Sequence, residues 1–139
     1  MTRPRILLAD DHHEMREVVA RLLEPEFEIV GAVKDGNSLL EAAPQLNPDV
    51  CILDITMPIV SGIEATPQLL AGASHPKVII LTVHEDVDFV DAAFKSGASG
   101  YVVKSRVASD LLTAVKEVLA GGTFVSASLS YGVRPIGSA

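Results

Sequence analysis

Five side chains able to do chemistry sit at the ends of apolar runs. Asp10 and Asp11 follow Ile6-Leu7-Leu8-Ala9, Asp54 follows Val50-Cys51-Ile52-Leu53, Thr82 follows Val78-Ile79-Ile80-Leu81, and Lys104 follows Tyr101-Val102-Val103. If those runs are strands of one parallel sheet, their C-terminal ends share an edge and bring together three carboxylates, a hydroxyl and an ammonium. Fully ionised, the group keeps two surplus negative charges after Lys104 is counted. Like charges ~4 Å apart repel by roughly 4 kcal/mol at an effective dielectric of ~20, so such a cluster needs a protonated carboxylate or a divalent cation. An oxygen-only donor set with room for waters suits Mg²⁺. An Asp beside Mg²⁺, with a Lys and a Thr around it, is what transfer of a phosphoryl group onto that Asp requires. The cations neutralise the transferring oxygens while the carboxylate attacks in line.

The elements that must position these groups follow from the apolar pattern. Arg5–Ala9, Phe27–Val33, Val50–Leu53, Val78–Val83 and Tyr101–Val103 are short, continuous and rich in β-branched residues, which predicts buried strands. Between them lie helical stripes. Met15, Val18, Val19, Leu22 and Leu23 share one helix face, as do Leu111, Leu112, Val115, Val118 and Leu119. Ser38 and Glu41 predict a capping box opening the second helix, with Pro44 expected to kink or shorten it. A weaker pattern with Pro67 marks the third helix, and Val87, Val90 and Phe94 the fourth, closed by Gly97. Strands alternating with helices require crossovers and therefore a parallel sheet with helices on both faces, an α/β doubly wound domain. Residues 123–139 turn small and polar and are expected to form a flexible tail or linker after a domain spanning residues 1–122.

Composition narrows the function. The chain has 139 residues, a formal net charge of −7, one Cys and 48% apolar residues, which suits a single domain with one core. A lone Cys builds no internal disulfide and points to a cytoplasmic location, and Cys51 within a strand is expected to be a small buried hydrophobe. No apolar run reaches the ~18 residues of a membrane span. The acidity excludes strong binding to a phosphate backbone by this chain alone, because that affinity comes from clustered Lys and Arg.

Five segments together resemble the response-regulator receiver domain of two-component signalling. They are Leu8-Ala9-Asp10-Asp11, Leu53-Asp54-Ile55-Thr56-Met57-Pro58 with Gly62, Leu81-Thr82, Gly97-Ala98-Ser99-Gly100-Tyr101, and Val103-Lys104. The resemblance covers residues 5 to about 122. It implies a flavodoxin-like fold with a five-stranded parallel sheet in the order 2-1-3-4-5. It also implies that Asp54 is the phospho-acceptor, that Asp11 and the Thr56 backbone carbonyl ligate Mg²⁺ with Asp54, and that Asp10 holds the metal through water. Thr82 and Lys104 would bind the phosphoryl group, and Tyr101 would act as the rotamer switch. His12 and the Leu81-Thr82-Val83-His84 stretch are most similar to the NarL/FixJ class, whose members continue into a LuxR-type helix-turn-helix. The partners implied are a sensor histidine kinase, a second copy of the chain in a phosphorylation-dependent homodimer, and DNA only through a C-terminal module outside these 139 residues. Ser105 stands where many receivers have Pro, and Val83 where a small residue is common, which would restrict inward packing of Tyr101.

Blander assignments compete at several positions. Asp11-His12-His13-Glu14 also fits an Asp-x-x-Glu capping box. Thr82 alone is an ordinary strand former and Lys104 an ordinary surface cation. His12 and His13 lack a second cluster at zinc-like spacing and are expected to be exposed first-turn residues. A receiver acting alone by protein contact is one functional alternative. A second is a module of receiver fold that is never phosphorylated. A third is a haloacid-dehalogenase-like phosphohydrolase, which would need an acid/base Asp where this chain has Thr56.

Overall fold

The computed structural model describes residues 3–72 and 75–126. Strands β1 (Arg5–Ala9), β2 (Glu28–Val33), β3 (Val50–Leu53), β4 (Lys77–Thr82), β5 (Gly100–Val103) and β6 (Phe124–Val125) alternate with helices through most of the chain. The helices are α1 (His13–Leu23), α2 (Gly36–Leu46), α3 (Gly62–Ala71), α4 (Val87–Lys95) and α5 (Val107–Leu119), the last entered through a 3₁₀ turn at Lys104–Arg106. All strand pairs are parallel and the sheet order is β2-β1-β3-β4-β5-β6. Helices on both faces make this the flavodoxin-like receiver architecture. The sheet has one strand more than the five expected. Phe124 and Val125 pair with Gly100 and Tyr101, so the chain adds a rung to the sheet edge just beyond the boundary expected at residue 122. The remainder of the expected tail, residues 127–139, lies outside the described residues.

Strand residues alternate between two cores because successive side chains leave opposite faces of a sheet. Leu7, Ala9, Cys51, Leu53, Ile80, Tyr101 and Val103 pack against α2, α3 and α4. Ile6, Leu8, Val50, Ile52, Ile79, Leu81 and Val102 pack against α1 and α5. Both faces are covered, which is why the runs are continuously apolar. Cys51 is fully buried, and burial pushes its thiol up to about 12, so it packs as a hydrophobe.

Helix ends and proline positions differ in detail from the sequence pattern. Helix α2 starts two residues before Ser38. Asp35 caps it by accepting a 2.7 Å hydrogen bond from the Ser38 amide, so Ser38 is a partner of the cap and not the cap itself. Pro44 does not shorten α2: the helix runs through it to Leu46, and the Asn47 amide bonds the Ala43 carbonyl. Pro67 likewise sits inside an unbroken α3. Helix α3 opens with a capping box at Ser61 and Glu64, which the apolar pattern did not reveal. Asp11 does not cap α1, since the N-cap is His12 and its side chain makes no capping bond.

Candidate functional site

Parallel strands β1, β3 and β4 end side by side, in register at Ala9↔Leu53 and Leu53↔Ile80, and β4 and β5 meet at Thr82↔Val103. The next residues outward are therefore Asp10, Asp54 and Lys104. The backbone ties the first two together, with the Asp54 amide donating to the Ala9 carbonyl at 3.0 Å. The loop after Asp54 is pinned by α3: Gly62 donates to the Ile55 carbonyl, and a side chain on Gly62 would meet the Asp54 carbonyl oxygen at 2.4 Å. Only glycine permits that approach.

Lys104 lies between the two buried carboxylates, its Nζ 2.8 Å from Asp10 Oδ2 and 2.9 Å from Asp54 Oδ2. Its own side chain is only 8% exposed. Burial acts to lower the Lys104 pKa, and the close contacts and negative charges of Asp10 and Asp54 outweigh it, so the ammonium is held above the usual lysine value. The other Asp54 oxygen, Oδ1, accepts from the Thr56 amide at 3.2 Å and the Thr56 hydroxyl at 3.4 Å. Asp10 Oδ1 accepts from the His12 amide at 2.8 Å. Asp11 is the open member, with a third of its side chain exposed.

A second set of contacts surrounds Thr82 and Tyr101. Both are fully buried. The His84 amide donates to Thr82 Oγ1 at 3.4 Å, and the Tyr101 hydroxyl donates to the His84 carbonyl at 2.8 Å, so one loop residue holds both. The His84 ring stacks on Phe89 of α4 at a centroid distance of 4.3 Å. Burial, reinforced by the charges of Asp86 and Asp54, pushes the Tyr101 phenol upward, so it stays a protonated donor. Val83 does not obstruct Tyr101, because its side chain turns outward and is 63% exposed.

The sequence marked Asp10, Asp11, Asp54, Thr82, Lys104 and Tyr101, and all of them lie at this edge. It offers His12 as a metal ligand next to Asp11 but favours an exposed first-turn residue there, and it assigns Arg16 and His84 no role at the site. His12 is exposed, as expected, yet its Nδ1 reaches 2.9 Å from Asp10 Oδ1 and 3.2 Å from Asp11 Oδ1. Arg16, one turn into α1, donates to the Asp10 carbonyl at 2.7 Å. His84 bridges Thr82 and Tyr101. The available signal for His12 was its place next to the acidic pair, a cue that zinc-type spacing does not capture.

The donor set fits a hard divalent cation. Carboxylate oxygens of Asp10, Asp11 and Asp54 and the His12 nitrogen lie within 4.8 Å of one another. Asp10 Oδ2 is buried with no hydrogen bond; its neighbour Lys104 supplies charge at contact distance but not a directed donor. A buried carboxylate oxygen with an unfilled lone pair, in a group whose charge one lysine does not balance, is what an oxygen-seeking cation satisfies.

Residues 6–116 match the response regulator receiver domain family. The chain belongs to that family. Among curated relatives, the receiver domain is 40% identical over 131 residues to the transcriptional regulatory protein DegU of Brevibacillus brevis, covering 93% of this chain and 56% of that protein. It thus spans little more than half the length of this relative. Among solved structures, it is similar to a two-component response regulator of the LuxR family from Aurantimonas (33% identity, TM-score 0.87, 94% of each chain). It is also similar to the signal receiver domain of the putative response regulator NarL from Mycobacterium tuberculosis (28% identity, TM-score 0.82, 87% of this chain and 99% of that one). The receiver domain is a signalling domain with transcriptional regulators among its homologues. No helix among the described residues is long and apolar enough to cross a membrane.

Proposed function

We propose that this receiver domain is a phospho-acceptor switch in which Asp54 takes a phosphoryl group from a sensor histidine kinase in a Mg²⁺-dependent reaction. The observation that carries this is the Lys104 ammonium, which follows β5 and is held between Asp54 and Asp10 at the ends of β3 and β1. It keeps the Asp54 carboxylate oriented and leaves a cation in place for the charge that arrives. Asp10, Asp11, Asp54 and the Thr56 carbonyl would hold the metal, which when bound neutralises the acceptor carboxylate and the phosphoryl oxygens against each other.

An Asp54 oxygen attacks phosphorus. The O–P bond forms as the bond from phosphorus to the donor imidazole nitrogen breaks, and the electron pair leaves with that nitrogen. The product is an acyl phosphate. Lys104 then pairs with a phosphoryl oxygen in place of one carboxylate contact, and Thr82 turns its hydroxyl proton to another. Thr82 and Tyr101 both touch His84, so a shift of Thr82 re-seats the β4–α4 loop and changes the surface made by α4, β5 and α5. Asp54 is consumed by this step and regenerated by hydrolysis, so no external substrate turns over. Thr56 on Asp54 Oδ1 supplies no carboxylate for acid/base work, which disfavours a phosphohydrolase.

The output we infer is control of transcription through a DNA-binding module beyond the described residues, supported by the homology to DegU. Kinase contact and a dimer that forms on phosphorylation belong to the same proposal, as does work in the cytoplasm. The deciding experiment incubates the chain with a small acyl phosphate and Mg²⁺ and follows intact mass. A single added phosphoryl group that is lost in Asp54→Asn is the expected result; no uptake, or equal uptake by Asp54→Asn, overturns the proposal.

A further inference from the structure

The strongest feature left over is His12. Its neighbour His13 is committed elsewhere, with Nε2 3.5 Å from Glu17 Oε2 one turn along α1. His12 occupies the N-cap of α1 without a capping bond, so helix formation does not explain its side-chain placement. Its Nδ1 instead faces the acidic cluster, 2.9 Å from Asp10 Oδ1, 3.2 Å from Asp11 Oδ1 and 4.0 Å from Asp54 Oδ2, with Lys104 Nζ at 3.4 Å.

The contact with Asp10 is a hydrogen bond, and the same set of spacings fits ligands around one ion. Donors ~2.1 Å from an octahedral cation stand about 3.0 Å apart when adjacent and about 4.2 Å apart when opposite. His12 Nδ1 matches the adjacent spacing to Asp10 and Asp11 and approaches the opposite spacing to Asp54. Asp10 Oδ2 in the same cluster is buried and ion-paired to Lys104 at 2.8 Å but accepts no directed hydrogen bond, a separate indication that further positive charge is accommodated there. An imidazole nitrogen adds little to Mg²⁺, which prefers oxygen, but it adds affinity for first-row transition ions.

We propose that His12 Nδ1 is a metal ligand of this site and widens its cation range from Mg²⁺ to imidazole-accepting divalent ions, with Mn²⁺ the mildest case. The proposal rests on the phospho-acceptor reading for the existence of a metal site and goes beyond it in assigning a nitrogen ligand. His12 is 62% exposed, so replacing it leaves the core untouched. Its ring moves from contact with the Asp10 and Asp11 oxygens to sharing an ion with them, and no covalent bond changes.

The test uses the 139-residue chain with Mn²⁺ and Mg²⁺ alone. Mn²⁺ binding is titrated by the loss of its free-ion EPR signal, Mg²⁺ by competition, and nitrogen ligation is read from ¹⁴N coupling in pulsed EPR. The expected result is ¹⁴N coupling in the native chain and in His13→Ala, and its loss in His12→Ala. His12→Ala should also weaken Mn²⁺ by about tenfold or more, since even indirect partners of a metal cost 10–100-fold, while Mg²⁺ affinity changes less than about twofold. Mn²⁺ bound without ¹⁴N coupling, or Mn²⁺ and Mg²⁺ weakened equally by His12→Ala, overturns the nitrogen ligand and leaves the phospho-acceptor reading standing. Absence of any divalent binding that Asp54→Asn diminishes overturns both.

Discussion

Two regions flanking β5 each bury carboxylate charge, and they treat it in opposite ways. On α5, Asp110 is 6% exposed and its oxygens are filled: Arg106 donates from Nε at 3.0 Å and NH2 at 3.3 Å, and the Ser109 hydroxyl at 3.1 Å. The Ser126 hydroxyl also bonds this carboxylate and accepts from the Val103 amide at 3.0 Å. One cation balances one anion, and no lone pair is left over. At the strand ends, Asp10 and Asp54 share a single lysine, Asp11 adds a further charge, and Asp10 Oδ2 lacks a hydrogen bond. The closed arrangement braces the chain where β6 joins β5. The open one keeps uncompensated negative charge, and that surplus is what a cation can use.

The contrast breaks most sharply if charge is removed from each side in turn. Asp54→Asn removes a surplus negative charge, so phosphoryl labelling should fall below detection while the thermal midpoint stays level or rises. A lowered midpoint would mean that Asp54 is structural like Asp110. Asp110→Ala should do the reverse, leaving labelling within about twofold and costing about 1–3 kcal/mol of stability, because Arg106, Ser109 and Ser126 lose their acceptor; denaturant unfolding reads it.

Ser126→Ala sharpens the same comparison on a smaller scale. Its hydroxyl replaces the next ladder rung after β6 ends, so its loss leaves a buried Val103 amide without an acceptor, at about 1–2 kcal/mol. Hydrogen exchange should quicken at Val103, and unchanged exchange there would deny the brace. The smallest effect is in pH. Burial acts to raise the Asp110 pKa, and the bonds from Arg106, Ser126 and Ser109 outweigh it, leaving the folded value below the usual 3.8. A depressed carboxylate stabilises the fold above its unfolded pKa and loses that contribution as pH falls through the folded one. Acid unfolding should therefore steepen below about pH 4 in the native chain, and less so in Asp110→Asn.

Much of the architecture was legible because burial on both sheet faces leaves an unmistakable pattern. Arg5–Ala9 and Val50–Leu53 were readable to the residue, since each is a short apolar run closed by an Asp and separated from its neighbours by helical stripes or turn residues. Phe124–Val125 was not, because two residues form a strand only against an edge that β5 already provides. Asp35 hid behind Ser38 as the cap of α2 because either side chain satisfies the local pattern, and only the backbone course decides which oxygen reaches the amide. Asp10, Asp11, Asp54, Thr82 and Lys104 were legible through their shared position after strands. His12, His84 and Ser126 were not, because strand and helix periodicity does not encode the contacts that place them: His12 Nδ1 with Asp10 and Asp11, His84 with Thr82 and Tyr101, and Ser126 with Val103 and Asp110.

The sequence by itself determined the alternation of strands and helices, the edge at which the acidic residues and Lys104 gather, and the sign of the charge there. Those follow from periodicity and from parallel connection, which are local rules. Tertiary structure alone decided that Lys104 spans Asp10 and Asp54, that His84 carries both Thr82 and Tyr101, and that His12 turns toward the carboxylates while His13 turns away. These depend on distances of a few ångströms between elements, and close packing of the two cores against the sheet sets them.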